Sequence, residues 1–415
     1  MLLKDLPLLF VLIGMTLYVV LGGADFGAAI WQVLAGRGEE GARRRELAHH
    51  AMAPVWEANH VWLIFVLTVM WTAYPVAFGS IASTLAAALL VAGFGIIVRG
   101  AAYALRSGTE SPREQVRVDT ASAIASVLAP FALGAAVGGI ASGRVPVGNA
   151  AGDLISSWLN PTSVLTGALA VVFSAYLAAV YLSADAVRLD MPDLAEWYRT
   201  RALGAGVLAG ALAIAGVAVL HDDAHRVYHG LVAGDGLPAV VVSVLAGCAT
   251  LTLVFRRRYE PARYSAALAV AAIIAGWALA QKPDLLPGLT ISEAAASDAA
   301  LVAVVIAVAV GAAVLFPSLT LLFRLTLGGQ LGAGHGAARA ETGRRVRRSV
   351  LAASAPGLLV RAAGACLLVG VAGTNVIEAP WARPFGVVGL LAFVVLGFLA
   401  ALPPGVVTEP EGEAR

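Results

Sequence analysis

Charge is the scarcest property of this sequence. Only 13% of its 415 residues are Asp, Glu, Lys or Arg, whereas 59% are hydrophobic. A soluble domain contains about 25% charged residues, so the composition excludes an ordinary soluble globular protein. The mean hydropathy of +0.83 indicates an integral membrane protein.

Cysteine and the common catalytic motifs are also scarce or absent. The two cysteines, Cys248 and Cys366, lie far apart in apolar stretches, a pattern that gives neither a disulfide framework nor the paired spacing of a zinc site. The sequence contains no Walker loop, no glycine-rich dinucleotide motif, no CxxCH and no nucleophile elbow. Function must therefore be sought in polar residues within the membrane.

Long hydrophobic runs, by contrast, are abundant. A helix of about 20 mainly apolar residues crosses a bilayer, and eleven segments meet this condition. They are 7–34, 52–73, 76–105, 116–141, 161–188, 202–220, 237–255, 264–281, 298–327, 357–377 and 384–402. The sequence predicts an all-α integral membrane protein with a nine-helix body at 1–327, a basic cytoplasmic linker at 328–356, and a two-helix C-terminal extension and tail at 357–415.

Basic residues are unevenly distributed among the predicted loops. Nearly all of the 28 basic residues are Arg. If the N-terminus lies outside, the inside loops collect most of them and the outside segments few. Because cytoplasmic loops of membrane proteins are enriched in Lys and Arg, the sequence predicts an N-out, C-in topology.

Polar residues interrupt the second predicted span. The stretch PVWEANHVWLI holds Glu57, Asn59 and His60 between Trp56 and Trp62. Ionisable residues inside a membrane are costly and typically mark ion or proton paths. Glu57 and His60 are three residues apart and share a helix face. Two interpretations are open: a relay that carries protons from the cytoplasm, and a polar cluster that locks helices together.

Further charged residues lie near the cytoplasmic ends of other spans. Asp25 lies in the cytoplasmic half of the first span, among glycines that allow another helix to approach closely. Arg99 in the third span could pair with Asp25 or Glu57, but we expect its long side chain to snorkel to the membrane surface. Asp119 and Asp185 are expected at the interface.

Three histidines with helical spacing raise the question of a metal site. His221, His225 and His229 follow one another at intervals of four residues, a spacing that can bind a transition metal. The stretch falls in a predicted outside loop, where a solvated polar turn is the default interpretation. We therefore expect no bound metal. The alternative is a metal site formed by these three histidines.

Several stretches resemble one known family. GGADFG, PVWEANHVWLI and the later WALAQKPDLLPGLTISEAAASDAALVAV are similar to subunit II of cytochrome bd-type quinol oxidases. The resemblance extends over about residues 1–327 and leaves the C-terminal extension outside. It implies a fold of nine transmembrane helices, arranged as two four-helix bundles plus a peripheral helix.

The resemblance implies a partner subunit of a respiratory terminal oxidase in the bacterial cytoplasmic (inner) membrane. Subunit II of this family pairs with a homologous subunit I, which carries haem b, haem d and the quinol site. The complex oxidises quinol and reduces O2 to water with cytoplasmic protons. Some members hold a structural quinone in subunit II, and some complexes contain a small accessory subunit. No nucleic-acid partner is implied.

The resemblance also implies roles for particular residues. Asp25 matches the acid of the family's first span, and Glu57 matches the acid of its second span. The residues around the second acid match as well: Trp56, Asn59 and Trp62. We expect both tryptophans to lie near a haem or the subunit interface. His60 stands where the family often has an acid, which keeps a titratable group but alters the proton route. The resemblance favours the relay over the polar cluster.

Two rival functions remain. An ion-coupled secondary transporter would bind its coupling ion at intramembrane acids, and such folds often contain helices interrupted at the bilayer midplane. The spans here are predicted to be continuous, and the polar cluster lies off-centre. A subunit II homologue in a non-oxidase membrane complex would keep the fold with another partner. A neighbouring gene for a haem-binding subunit would favour the oxidase.

We expect Glu57→Gln to lower quinol-dependent O2 uptake while the complex stays assembled. The amide keeps the shape of the side chain but cannot exchange a proton, and proton-transfer groups typically contribute about 10²- to 10⁴-fold to a rate. An oxygen electrode and size-exclusion chromatography measure the two effects. Loss of the whole complex in this variant would support the structural cluster instead.

Overall fold

The computed structural model describes residues 2–106, 112–327 and 358–371, together with seven positions between 385 and 396. These ranges are mostly helical, which confirms the all-α class. The elements are α1 Leu2–Val33, α2 Gly38–Ala73, α3 Pro75–Thr84, α4 Ala86–Arg106, α5 Pro112–Ala141, α6 Pro161–Arg188, α7 Pro192–Asp223, α8 His225–Val232, α9 Leu237–Phe255, α10 Tyr259–Gln281, β1 Asp284–Leu286, β2 Leu289–Thr290, α11 Ile291–Ala294, α12 Asp298–Leu327 and α13 Leu358–Val371. The predicted linker at 328–356 lies outside the described residues.

Each of the nine segments predicted for the body coincides with helix. Among the described residues, seven helices are long and apolar enough to cross a membrane, and α3 with α4 would make an eighth span. In α2 the qualifying apolar part is shorter, Asn59–Ala73. The protein is therefore a multi-pass membrane protein. The count of nine spans, the two four-helix bundles and the N-out topology stay predictions.

The second helix begins earlier than hydropathy predicts. It starts at Gly38, because one side of its polar first part packs against the protein. Leu47 and Ala48 are buried in the same apolar cluster as Leu194 and Tyr198 of α7. Averaged hydropathy misses such a stretch, since its other side carries exposed charges.

The third predicted span is broken, so the expectation of a continuous helix is wrong. Helices α3 and α4 meet at Leu85 at an angle of 80°. The loop after α5 covers this region: the backbone N–H groups of Gly148 and Ala150 donate to the hydroxyls of Ser80 and Ser83, at 3.0 and 2.7 Å. These contacts come from a distant part of the chain and leave no local signal in the span itself.

Tyr74 joins the first two helices at the end away from the arginine-rich loops. Its hydroxyl accepts a hydrogen bond from the N–H of Leu8 at 3.1 Å and donates to the carbonyl of Lys4 at 2.6 Å. In a regular helix these two backbone groups bond to each other. The tyrosine is thus inserted into the ladder of α1 beside Pro7, an arrangement known to bend helices.

Helices α1 and α6 cross closely at Gly27. A Cβ atom on this residue would lie 1.9 Å from the carbonyl oxygen of Ser174, far inside van der Waals contact. Four residues later, the indole N–H of Trp31 donates to the carbonyl of Ala175 at 2.7 Å. The close helix approach predicted for the glycines beside Asp25 is therefore confirmed.

A small hairpin follows α10. This hairpin was not predicted from the sequence. Strands β1 and β2 pair in antiparallel fashion, and Thr290 then caps α11. The backbone N–H and the hydroxyl of Thr290 donate to the Glu293 carboxylate at 2.9 and 2.7 Å. These bonds lower the pKa of Glu293 below its usual range. Arg226 of α8 holds the hairpin through Asp284 at 2.5 Å.

The chain divides into two compact units, residues 1–313 and 314–415. Within the first unit, the part of α12 that belongs to it is mostly exposed, with Leu301 and Val304 among its buried residues. Within the second unit, a Cβ atom on Gly389 would lie 2.9 Å from the backbone nitrogen of Gly370. The C-terminal extension thus has a close backbone contact of its own.

We expect Gly27→Ala to lower the thermal stability of the purified protein, although Ala is the better helix former by about 1 kcal/mol. The added methyl would have to displace backbone, and overpacking costs about 1–3 kcal/mol or more. Gly247→Ala is the matched control, because a Cβ atom there meets nothing within 4 Å. Equal unfolding midpoints for the two variants in detergent would contradict the close crossing.

Candidate functional site

Asp25 and Arg99 form a buried ion pair between α1 and α4. They are 1% and 7% exposed. The Nε of Arg99 donates to Oδ2 of Asp25 at 2.9 Å, and its Nη2 donates to Oδ1 and, at 2.8 Å, to the backbone carbonyl. The expectation that Arg99 snorkels to the surface is wrong. Each charge compensates the other, whereas a buried charge without a partner would be strongly destabilising.

Two serines of α5 complete the contacts of Arg99. Its Nη1 donates to the hydroxyl oxygens of Ser126 at 2.8 Å and Ser122 at 3.3 Å. The guanidinium also lies 5.6 Å from the centre of the Phe26 ring, within the range of a cation–π contact. Sequence reasoning missed both serines, although two serines one turn apart in an apolar helix were the available signal.

A small polar cavity lies beside this ion pair, between α1, α2, α4 and α5. It offers about 20 Å³ to the centres of water molecules, which is room for about one water. Its lining residues are Asp25, Ala28, Gln32, Ala48, His49, Arg99, Ala102, Val118, Asp119 and Ser122. The cavity therefore gathers ionisable side chains from four helices around a space for water.

His49 is the main residue that sequence reasoning missed at this site. Hydropathy places the start of the second span after it, whereas α2 begins at Gly38. His49 and His60 therefore lie on one helix. They are eleven residues apart, which is close to three turns, so they share one side of α2. That spacing was visible in the sequence once the helix was extended.

Asn59 faces α1 from the second helix. It is fully buried, and neither its amide oxygen nor its amide nitrogen has a hydrogen-bond partner among the described residues. Its nitrogen lies 3.6 Å from the position of a Cβ atom on Gly22. The buried hydroxyl of Tyr18, one turn along α1, likewise lacks a partner there. Buried polar groups of this kind typically bind an ordered water or serve a function.

The remaining residues predicted in the second span are only partly described. The side chains of Trp56 and Glu57 lie outside the described residues, so their roles stay predictions. His60 is half-buried, and Trp62 packs into an apolar cluster with Tyr18. A haem needs an axial ligand facing a large cavity. The cavity beside Asp25 admits about one water, so the residues that line it do not fit a haem.

The three histidines considered as a metal site lie at the α7–α8 junction. Helix α7 ends at Asp223 and α8 begins at His225, so His221 is on a different helix from the other two. Neighbouring rings pack edge to face, at 5.4 Å for His221 with His225 and 4.8 Å for His225 with His229. Across the described residues, no group of three His, Cys, Asp or Glu side chains could hold a metal ion. This arrangement gives no support to the metal alternative.

A second buried acid lies near the end of α6. Asp185, which we expected at the interface, is only 2% exposed. Arg263 of α10 donates to its carboxylate at 2.7 Å and Arg188 at 2.6 Å. As with Asp25, an arginine from a distant helix allows the acid to be buried.

Comparison with known proteins identifies similar proteins for most of the chain. Residues 3–326 match the family model for cytochrome bd terminal oxidase subunit II. The cytochrome bd-I ubiquinol oxidase subunit 2 of Escherichia coli K12 is 26% identical over 229 residues, which are 51% of this chain and 56% of that subunit. The same subunit of E. coli O157:H7 gives the same values. The match thus spans about half the length of these curated relatives.

A solved structure has a similar fold. The bd oxidase of Geobacillus thermodenitrificans contains a chain that aligns with a TM-score of 0.61, over 79% of this chain and 99% of that chain. The two are 23% identical, so this likeness supports the fold alone.

We expect Asp25→Asn to destabilise the protein by about 3–5 kcal/mol, because it leaves the buried charge of Arg99 uncompensated. Asp193→Asn is the matched control: Asp193 forms an exposed ion pair with Arg43 at 2.9 Å, and such pairs contribute about 0–1 kcal/mol. Denaturant unfolding in detergent measures both. Similar losses of unfolding free energy for the two variants would show that the buried ion pair contributes no more to stability than the exposed one.

Proposed function

The chain belongs to the cytochrome bd terminal oxidase subunit II family, and we propose that it delivers protons within a bd-type respiratory oxidase. The proposed complex lies in the bacterial cytoplasmic membrane, oxidises quinol and reduces O2 to water. A homologous subunit I would carry haem b, haem d and the quinol site. Those haems would supply the electron transfer to O2, and this chain would supply packing and proton transfer.

The polar cavity beside Asp25 and Arg99 is the observation that carries this proposal. Carboxylate and imidazole side chains around a water site can take up and release protons, and such groups within a membrane are typical of proton paths. The cavity lies at the end of the helices where the arginine-rich loops occur. The predicted topology places that end in the cytoplasm, from which O2 reduction would draw its protons.

The residues around the cavity divide into two roles. Both carboxylate oxygens of Asp25 accept bonds from Arg99, so we assign this pair the task of fixing the helices and orienting water. His49 and Asp119 are half-buried on the same cavity. We assign them the uptake of protons from the cytoplasm.

The second helix offers a continuation of this route. His49 and His60 lie on one side of α2, about 16 Å apart along its axis at 1.5 Å per residue. The sequence places Glu57 between them. Between α1 and α2, the buried amide of Asn59 and the buried hydroxyl of Tyr18 have no hydrogen-bond partner among the described residues. Both groups can therefore still bond to water. We propose that protons move from the cavity along this side of α2 toward the partner subunit.

The broken third span is a feature that would suit a transporter. Its break at Leu85 lies fourteen residues from Arg99, or about 21 Å along α4. The hydroxyls of Ser80 and Ser83 near the break accept hydrogen bonds from the loop after α5. An ion site at the break would thus be separate from the buried charges, and family membership favours the oxidase.

Other parts of the proposal concern the extension and additional ligands. We propose that the C-terminal extension occupies the lipid-facing position of a small accessory subunit. Its close contact between Gly370 and Gly389 supports a compact helical element of that kind. A structural quinone within this chain stays a prediction from the family.

We expect the double variant His49→Gln with Asp119→Asn to lower quinol-dependent O2 uptake by about tenfold or more. Uptake should also fall more steeply as the pH on the arginine-rich side rises, because protons would then have to enter without a side-chain relay. Asp190→Asn is the control, since Asp190 is exposed at the same end of the helices. An oxygen electrode on proteoliposomes gives both readouts.

Two results would contradict the proposal in different ways. An unchanged rate and pH profile for the double variant, with an intact haem spectrum, would remove proton uptake from this cavity. A wild-type chain that purifies without a haem-bearing subunit and without quinol-dependent O2 uptake would contradict the oxidase assignment itself.

A further inference from the structure

Two arginines share one tryptophan at the arginine-rich end of the helices. The guanidinium carbon of Arg201 lies 3.2 Å from the centre of the Trp197 ring, and that of Arg44 lies 4.8 Å from it. Because both guanidinium carbons lie this close to the same ring centre, they also lie close to each other. Both contacts are within cation–π range. The indole therefore holds two like charges close together.

Among the described residues, one carboxylate forms an ion pair with these two arginines. Arg44 donates to Glu40 at 2.5 Å, but the Glu40 side chain is 75% exposed. Arg44 also donates to the carbonyl of Ala35 at 3.0 Å. Arg201 donates from Nη1 to the carbonyl of Trp197 at 2.9 Å, and no carboxylate of the described residues forms an ion pair with it. Positive charge and unused guanidinium donors thus remain at this place.

The backbone around the two arginines is firmly held. The buried hydroxyl of Tyr198 donates to the backbone carbonyl of Arg44 at 3.0 Å. Leu47 and Leu194 belong to the same buried cluster as Tyr198. The beginning of α7 and the beginning of α2 are thus fixed against each other. The two guanidinium groups are presented from a rigid frame, which reduces the entropy lost when a ligand binds.

An apolar surface continues from this site along α7. Leu208 lies seven residues after Arg201, two turns further on the same side of the helix, and is 51% exposed. Gly204 lies between them, and a Cβ atom there would meet nothing within 4 Å. Helix α7 is one of the candidate membrane spans. The basic site therefore stands at the end of an open apolar strip.

We propose that Arg44, Trp197 and Arg201 bind the phosphate of an anionic phospholipid whose acyl chains lie along α7. Guanidinium groups match phosphate oxygens in a bidentate manner. Anionic lipids are attracted to basic residues at the cytoplasmic surface, the side predicted for this end. Free phosphate shares the headgroup chemistry but lacks the chains that the apolar strip would contact.

Native mass spectrometry of the purified complex in micelles doped with phosphatidylglycerol tests this proposal. Arg201→Lys keeps the charge but loses the planar fork, and we expect about fivefold less retained phosphatidylglycerol. Arg256→Lys is the matched control, because Arg256 is exposed and close to the same ends of the helices. Both variants keep the net charge, so general attraction to an anionic surface is unchanged.

Further conditions distinguish the source of the phosphate and guard against misfolding. Excess inorganic phosphate should not displace the bound phosphatidylglycerol, and phosphatidylcholine should be retained less than phosphatidylglycerol. Arg44→Lys is the second variant should Arg201→Lys fail to assemble, and it should show the same loss. Equal lipid retention by wild type and variants would overturn the proposal. Displacement by phosphate alone, or equal retention of the two lipids, would overturn the assignment to an anionic lipid.

Discussion

The pairing of Asp25 with Arg99 is the interaction on which the arginine-rich end of the first unit depends. Either charge would be strongly destabilising in an apolar interior without the other. Helices α1 and α4 must therefore keep their relative position. The serines of α5 bind the same guanidinium and add a third helix to the arrangement. Two residues after Asp25, Gly27 brings α1 against α6. The small cavity lies beside the ion pair.

The helices themselves were predictable from the sequence for a general reason. Within a bilayer, backbone groups must be satisfied inside each segment, so long apolar runs form helices almost irrespective of their detailed order. The expectation of a fully regular third span fails because the contacts around Leu85 come from a loop more than sixty residues away. The early start of α2 was missed because burial on one side of a polar helix scarcely changes its average hydropathy.

The candidate site was predictable only in part. Asp25 and Asn59 were identified because polar residues in apolar runs are conspicuous. The sequence offered Asp25 as one possible partner of Arg99 but could not select it, since Asp25 lies 74 positions away and snorkelling is the usual behaviour of a terminal arginine. The regular helical spacing predicted for the three histidines is interrupted, because the chain turns at Ala224 between two helices. His49 was overlooked as a consequence of the misplaced start of α2.

The hydroxyl of Tyr74 has a consequence for the order of events during synthesis. It stands between the carbonyl of Lys4 and the N–H of Leu8, yet it lies 66 residues after Leu8 in the chain. The first turns of α1 therefore lack one of their native bonding partners until the whole of α2 has left the ribosome. The native hydrogen bonding at this end therefore belongs to the pair of helices, and α1 reaches it only after α2 has been made.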